Sequence, residues 1–417
     1  MKRDVTRLPD RGWAILAAMA ILYIIGLLCI YATEVAKPGL PINTIKQIIT
    51  MLLGCVVSLV ILRFGYGWCA EYAYVIFALA VLALIPLVLA RYVSFGSLIP
   101  YRRGSYRWIN LRFFQLQPSE FMKVAYIIGL AAYLRYRRNH RTFRGLLIPL
   151  AGSLGPMLLI LLEPDLGTVL LLFAMLFVAG AKMRHFVLLG LVALAVTPVF
   201  WHGLHPYQRS RILGVVLQSD SLRAAIEAEP EKYSFLATKQ QAREWSVSSG
   251  MQLVRSKAAL GSGGLTGHGW ASGTYIEYNF LPDKHNDFIF AIIGHQWGLV
   301  GCLLVLICYF IIVMAGLEIA AGTTEPFARL LAVGVVALIA AQVTINVGMT
   351  IGLMPITGMT LPLVSYGGSS LLVNMIGIAL LLSVSRHRPF LLASRAFDFD
   401  EAENPDATLR FEPTMHH

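Results

Sequence analysis

The chain has 417 residues, 57% of them hydrophobic and only 14% charged, with a mean hydropathy of +0.67. A soluble protein of this length would have about a quarter of its residues charged, so a water-soluble globular fold is excluded. The formal net charge of +11 does not point to nucleic acid, because the basic residues sit in short loops between apolar runs, where charge sets membrane orientation.

Apolar stretches long enough to cross a hydrocarbon core of about 30 Å recur along the chain, and no short alternating segments of a β-barrel occur. The expected class is all-α, a polytopic membrane protein of about ten transmembrane helices. In chain order the spans fall near 13–31, 45–63, 72–92, 119–135, 145–162, 166–181, 185–202, 288–314, 328–350 and 367–385. The first is long and many follow, so it reads as a retained helix and not as a signal peptide. Cys29, Cys55, Cys69, Cys302 and Cys308 lie in or beside spans and show no metal or disulfide spacing.

Lys2, Arg3, Arg7 and Arg11, the run Arg135–Arg144, Lys182 with Arg184, and Arg386 with Arg388 all fall on one side if ten spans alternate. That side is expected to be cytoplasmic, with both termini inside. Arg91, Arg102, Arg103, Arg107 and Arg112 break the rule on the outer side. Two explanations stand: an anionic partner outside the membrane, or an interfacial segment, "YRWINLRFFQLQ", that snorkels its arginines to headgroups.

Residues Glu120 and Lys123 of "QPSEFMK" are spaced to share a helix face. They read equally as a structural ion pair and as substrate contacts. Pro118 suits the first turn of that helix. Glu163 and Asp165 flank Pro164 in "LEPDLGT". Ionisable groups at such depths are costly in lipid and normally face a polar interior.

The longest loop, about 203–287 and outside the membrane, divides spans seven and eight. Its acidic and polar portion reads as a surface helical excursion. The following "ALGSGGLTGHGWASG" lacks GxGxxG register and a strand–helix context, so a dinucleotide site is rejected. It reads as flexible backbone close to a substrate or to the membrane surface. The loop ends in "LPDKHNDFIFAIIGHQ", where charge meets the lip of a span. Asp287 there serves as a helix N-cap or as a general base. Near the end, "MPITGMTLPLVSYGGSS" is irregular backbone of the kind that lines a cavity, and it holds Ser365 and Ser369. The acidic, then polar C-terminal tail (391–417) reads as disordered.

"QPSEFMK", "EPDLGT", "HPYQRSRIL", "LPDKHNDFIFAIIG" and "MPITGMTLPLVSYGGSS" occur in order, and together they resemble the RodA/FtsW (SEDS) family. "PYQRSRIL" and "MPITG" are spelled more as in RodA. The resemblance covers the ten-helix plan of residues 1–390. It implies a bacterial cytoplasmic-membrane glycosyltransferase that polymerises lipid II into glycan strands beside a class B penicillin-binding protein, within the elongation or division machinery. It assigns Asp287 as the general base for the acceptor 4-hydroxyl. Candidates to hold the substrate and its leaving pyrophosphate are Arg209, Arg211, Lys257, Lys123, Glu120, Arg107, Arg112, Ser365 and Ser369. The family's dependence on a divalent cation implies Mg or Mn carried mainly by the pyrophosphate, with Asp287 as the candidate carboxylate.

Two departures bear on this. Asn279 stands where the family usually has glutamate, and His295 and Gln296 replace its usual acidic pair. The loop between Gln218 and Ser246 also runs longer than usual. A lipid II flippase and a non-catalytic scaffold are the competing readings. The gathering of ionisable residues toward the outer half speaks against the first, and retention of Asp287 and the arginines speaks against the second.

Overall fold

In a computed structural model of the chain, the described residues are 10–35, 39–101, 105–111, 115–136, 143–163, 165, 167–172, 213–215, 217–233, 238, 240, 243, 245, 249–277 and 286–386. Their elements are α1 (Asp10–Val35), α2 (Ile42–Phe64), α3 (Gly67–Glu71), α4 (Ala73–Leu89), β1 (Ile109–Asn110), β2 (Gln115–Leu116), α5 (Pro118–Leu134), α6 (Phe143–Leu162), α7 (Asp220–Ala228), α8 (Ser249–Ser262), α9 (Thr274–Glu277), α10 (Ile289–Ala321), α11 (Pro326–Thr350) and α12 (Gly368–Arg386). The fold is mostly helical. Among the described residues, α1, α2, α10, α11 and α12 are long and apolar enough to cross a membrane, and α4 and residues Ile148–Leu162 form shorter apolar helices. Residues 167–172 are helical where the sixth expected span begins, and the seventh, 185–202, lies outside the described residues, as does the C-terminal tail.

Helix α12 is buried along nearly its whole length, packed against α2, α5 and α11. Ser369, Ser370, Asn374, Ser383 and Ser385 are buried along with its apolar residues, so little of the helix meets solvent or lipid. Helix α1 lies along α10, and α4 along α5. Leu52, Val56 and Leu59 of α2 and Ile307 and Phe310 of α10 remain exposed on the bundle's outside, as a lipid-facing surface requires.

One end of the bundle collects basic residues. Arg11 pairs with Glu318 at the end of α10, Arg386 donates to the Leu62 carbonyl (3.5 Å) near the end of α2, and the Arg135 guanidinium sits 5.9 Å from the Phe327 ring centroid at the start of α11. At the opposite end, the Glu34 carboxylate caps α2 by accepting the N–H groups of Asn43 (2.9 Å) and Thr44 (3.0 Å).

Between α11 and α12, residues 351–367 turn back into this end of the bundle. Val364 lies against Gly26 of α1, where a Cβ would overlap its backbone. Gly26 sits well inside α1, about 14 Å below the helix end at 1.5 Å per residue. The segment is non-helical but buried: Ile356, Thr357, Met359, Leu361, Val364 and Ser365 are all inside. The Pro362 and Ser365 carbonyls accept from Tyr309 Oη and from Gln47 Nε2 (3.2 Å). Such backbone is tolerated at membrane depth only when protein satisfies it.

The glycine-rich stretch departs from the sequence expectation. It is locked, not loose. Helix α10 breaks at Gly298 (φ 62°), a conformation that glycine adopts without penalty. The break interrupts the bonds that Leu299 and Val300 would make to His295 and Gln296. The loop replaces all of them. His268 N–H donates to the His295 carbonyl (3.0 Å) and Gly269 N–H to that of Gln296 (3.0 Å), while Leu299 and Val300 N–H donate to the carbonyls of Gly264 (2.9 Å) and Leu265 (3.2 Å). Side chains would block this approach, and a Cβ at Gly267 would overlap the Gln296 carbonyl.

The long loop carries the expected helical excursion as α7, with Ser219 as N-cap and a small core of Leu213, Leu217, Ile226 and Trp245. The described residues of the arginine-rich segment before α5 include two short strands. These, β1 and β2, pair antiparallel, with Ile109 opposite Leu116.

Candidate functional site

The polar interior is assembled at the α5 N-terminus. Pro118 occupies the first helical position and Glu120 the first turn, as the sequence suggests. Lys123 Nζ lies 2.7 Å from Glu120 Oε1, and the Lys123 side chain is 1% exposed. The second Glu120 oxygen has no hydrogen-bond partner among the described residues. Beside this pair stands Asp165. Its Oδ2 accepts from Ser119 Oγ (3.1 Å) and Thr168 Oγ1 (2.9 Å), and Oδ1 from Thr168 N–H (3.3 Å).

Ser119 is reached by Gln117 Nε2 (3.1 Å). Gln117 N–H donates to Ser369 Oγ (3.0 Å), and that hydroxyl donates to the Gln115 carbonyl (2.9 Å). The end of β2, the first turns of α5 and α12, and the end of α6 thus meet in one network.

Glu163, 2% exposed, lies just past the end of α6, and neither carboxylate oxygen has a hydrogen-bond partner among the described residues. Arg107 Nε donates to its carbonyl (2.8 Å), and Arg91 donates to the neighbouring Leu162 carbonyl. The two carboxyls are driven apart. Burial and the adjacent Asp165 push Glu163 up to about 9, against the pull of Arg107 and Arg91. Burial would also raise Asp165, but Arg107, the Thr168 donors and Lys123 outweigh it and hold Asp165 below the usual carboxylate range. With Glu163 neutral, Arg91, Arg107 and Lys123 outnumber Glu120 and Asp165. The cluster suits an anion.

Asp287 is half-buried in a turn before α10. The helix opens with Phe288 at the N-cap position, so Asp287 stands one residue ahead of it. Its carbonyl accepts from Asn346 Nδ2 (2.9 Å), which also donates to the Met359 carbonyl (2.6 Å). Met359 and Thr357 crowd Gly167, two residues from Asp165. Asp287 is therefore one side chain removed from the segment that rests on the charge cluster.

Glu120, Lys123, Arg107 and Ser369 come together as one group. Ser365 is separate: its Oγ accepts Leu361 N–H (2.8 Å) and closes a buried turn. Lys257 is exposed on α8 and bonds Gln218 Oε1 (3.1 Å), while Gln218 Nε2 donates to the Gly352 carbonyl (2.8 Å). That seam joins the loop to the bundle. Arg209, Arg211, Arg112 and Asn279 lie outside the described residues. Sequence reasoning missed Ser119, Gln117 and Asn346. For Asn346 a signal existed, since a fully buried amide within an apolar span needs a reason.

The architecture defines a multi-pass helical membrane protein with a buried charge cluster at one end of the bundle. Residues 11–389 match the FtsW, RodA and SpoVE family of cell cycle proteins. The peptidoglycan glycosyltransferase MrdB of Escherichia coli (strain K12) is 34% identical over 334 residues, 79% of this chain and 80% of that protein. Stage V sporulation protein E of Bacillus subtilis (strain 168) is 34% identical over 352 residues, 82% of this chain and 86% of that protein. A solved chain from a peptidoglycan synthase complex that coordinates polymerization and crosslinking superposes with a TM-score of 0.69 at 25% identity, covering 91% of this chain and 98% of that one. The rod shape determining protein RodA of Thermus thermophilus shares the fold at TM-score 0.62 and 24% identity, covering 90% of this chain and 97% of that one. The chain belongs to the FtsW/RodA/SpoVE family.

Proposed function

We propose that this protein is a peptidoglycan glycosyltransferase that polymerises lipid II on the outer side of the bacterial cytoplasmic membrane. Membership of a family whose curated relatives are named for that activity carries the reading. In the reaction Asp287 takes the proton of the acceptor sugar's 4-hydroxyl. The freed oxygen attacks the donor's anomeric carbon with inversion, the glycosidic bond forms, and undecaprenyl pyrophosphate leaves with the electrons of the broken C–O bond. A carboxylate at the lip of a span suits a substrate with sugars in water and a tail in lipid. The excess positive charge of Arg91, Arg107 and Lys123 supports pyrophosphate binding, with Glu120 holding the lysine. Arg209, Arg211, Arg112 and Lys257 complete the proposed anion-binding set. Ser369 stands beside it in the first turn of α12, and Ser365 closes a turn of the irregular segment.

Among the described residues no three His, Cys, Asp or Glu side chains gather as a cation site. The described residues by themselves do not build a site for a resident metal. A Mg or Mn ion would travel with the pyrophosphate, with Asp287 as its protein carboxylate.

The full proposed plan has ten spans, the loop of 203–287 outside, both termini inside, and residues 391–417 as a cytoplasmic tail. The gathering of Arg11, Arg135 and Arg386 at one end supports that orientation. The proposed partner is a class B penicillin-binding protein, in keeping with the synthase complex that the fold resembles.

The test is gel-based polymerisation by the purified chain with that partner, lipid II and a divalent cation, beside Asp287→Ala and a reaction lacking this chain. Glycan ladders from the wild type alone are expected. If an intact wild-type complex yields no polymer, the scaffold reading takes over and lipid II flipping in liposomes becomes the next assay.

A further inference from the structure

Asn346 is 0% exposed near the C-terminal end of the apolar helix α11. Both bonds from its Nδ2 go to main-chain carbonyls on non-helical backbone, Asp287 (2.9 Å) and Met359 (2.6 Å). Its Oδ1 has no hydrogen-bond partner among the described residues. So the side chain acts by donation alone. Neither segment it joins is held in place by regular structure. Asp287 sits in a turn ahead of a helix with no side-chain cap, and Met359 follows Gly358 (φ 73°) in the buried segment. Met359 in turn packs on Gly167, next to Asp165 and Thr168. Helix α11 is buried at this level, with Gln342, Asn346 and Thr350 on one face. Asn346 ties two irregular segments of chain to this helix.

We infer that Asn346 is a positioning residue: by bridging the Asp287 and Met359 carbonyls it sets the height of the Asp287 carboxylate above the Glu120–Lys123–Asp165 cluster, and so its reach to the acceptor hydroxyl. The inference rests on Asp287 as the base. A catalytic group displaced by about 1 Å loses on the order of 100-fold in rate even when binding is intact. The link therefore acts on turnover and not on substrate affinity.

The experiment uses the full chain with its penicillin-binding partner and measures kcat and KM for lipid II, per mole of folded, monodisperse complex, for Asn346→Leu, Asn346→Ser and Asp287→Ala. Leucine keeps the size and loses both donors. Serine keeps one. Asn346→Leu should lower kcat about 10- to 100-fold with KM changed less than about threefold, and Asn346→Ser should fall between it and the wild type. Wild-type kcat in both Asn346 variants, with Asp287→Ala inactive, overturns the role of Asn346 and leaves that of Asp287. An active Asp287→Ala overturns the base assignment itself. Loss confined to the yield of folded complex, with normal turnover per folded molecule, reduces Asn346 to a structural residue and overturns the inference.

Discussion

The Glu120–Lys123 pair sets a sharp energetic test. Lys123 Nζ sits 2.7 Å from Glu120 Oε1, with the lysine side chain 1% exposed, so neither charge has water to fall back on. Lys123→Met keeps the length and apolar stem but strands Glu120 and removes a charge that also favours ionised Asp165. Leaving one member of a buried pair uncompensated costs about 3–5 kcal/mol, whereas removing both charges together is often close to neutral. Lys123→Met should therefore lower the midpoint of thermal unfolding by about 3–6 °C, and Glu120→Gln with Lys123→Met should recover most of that loss. The residual deficit reports Asp165. The assay is thermal unfolding of the detergent-purified chain, followed by intrinsic fluorescence. A Lys123→Met midpoint within about 1 °C of the wild type, equivalent to less than about 1 kcal/mol, would refute the argument that the pair is a desolvated unit. The same double variant separates the two roles left open by the sequence. Stable but inactive protein assigns the Glu120–Lys123 pair to the substrate. Stable and active protein makes the pair structural.

Glu163 gives a pH test. Its carboxyl is raised to about 9 from the ordinary carboxylate range, so the native state binds the extra proton and stability is lost as pH rises from that ordinary range to the raised value. Glu163→Gln should match the wild type near pH 5 and become increasingly more heat-stable above pH 7; parallel pH profiles for the two would contradict a neutral Glu163. Gly267→Ala should abolish recovery of monodisperse protein by size exclusion, because its φ of +81° and the Gln296 carbonyl both exclude a side chain. Gly264→Ala also has a positive φ (+54°) but meets nothing within 4 Å, and should cost only about 1 kcal/mol.

The amino-acid sequence by itself determined the class of protein, because long apolar runs admit few solutions in a bilayer. It also determined the helical spacing of Glu120 and Lys123 and the start of α5 at Pro118, since both are set within one or two turns of chain. Local pattern did not reveal the rest. The glycine-rich stretch looked flexible because its partners lie in α10, and only the break at Gly298 turns those glycines into a backbone interlock. Ser369 met Gln115 and Gln117 across more than 250 residues of chain, and Asn346 reached Asp287 and Met359 at once. No periodicity encodes such meetings. The different fates of Glu163 and Asp165 were likewise invisible, since the same short motif holds both. Tertiary structure decided them, by giving Asp165 the Ser119 and Thr168 donors and leaving the Glu163 oxygens with none among the described residues. A buried carboxylate keeps its charge only where donors and cations compensate for lost water.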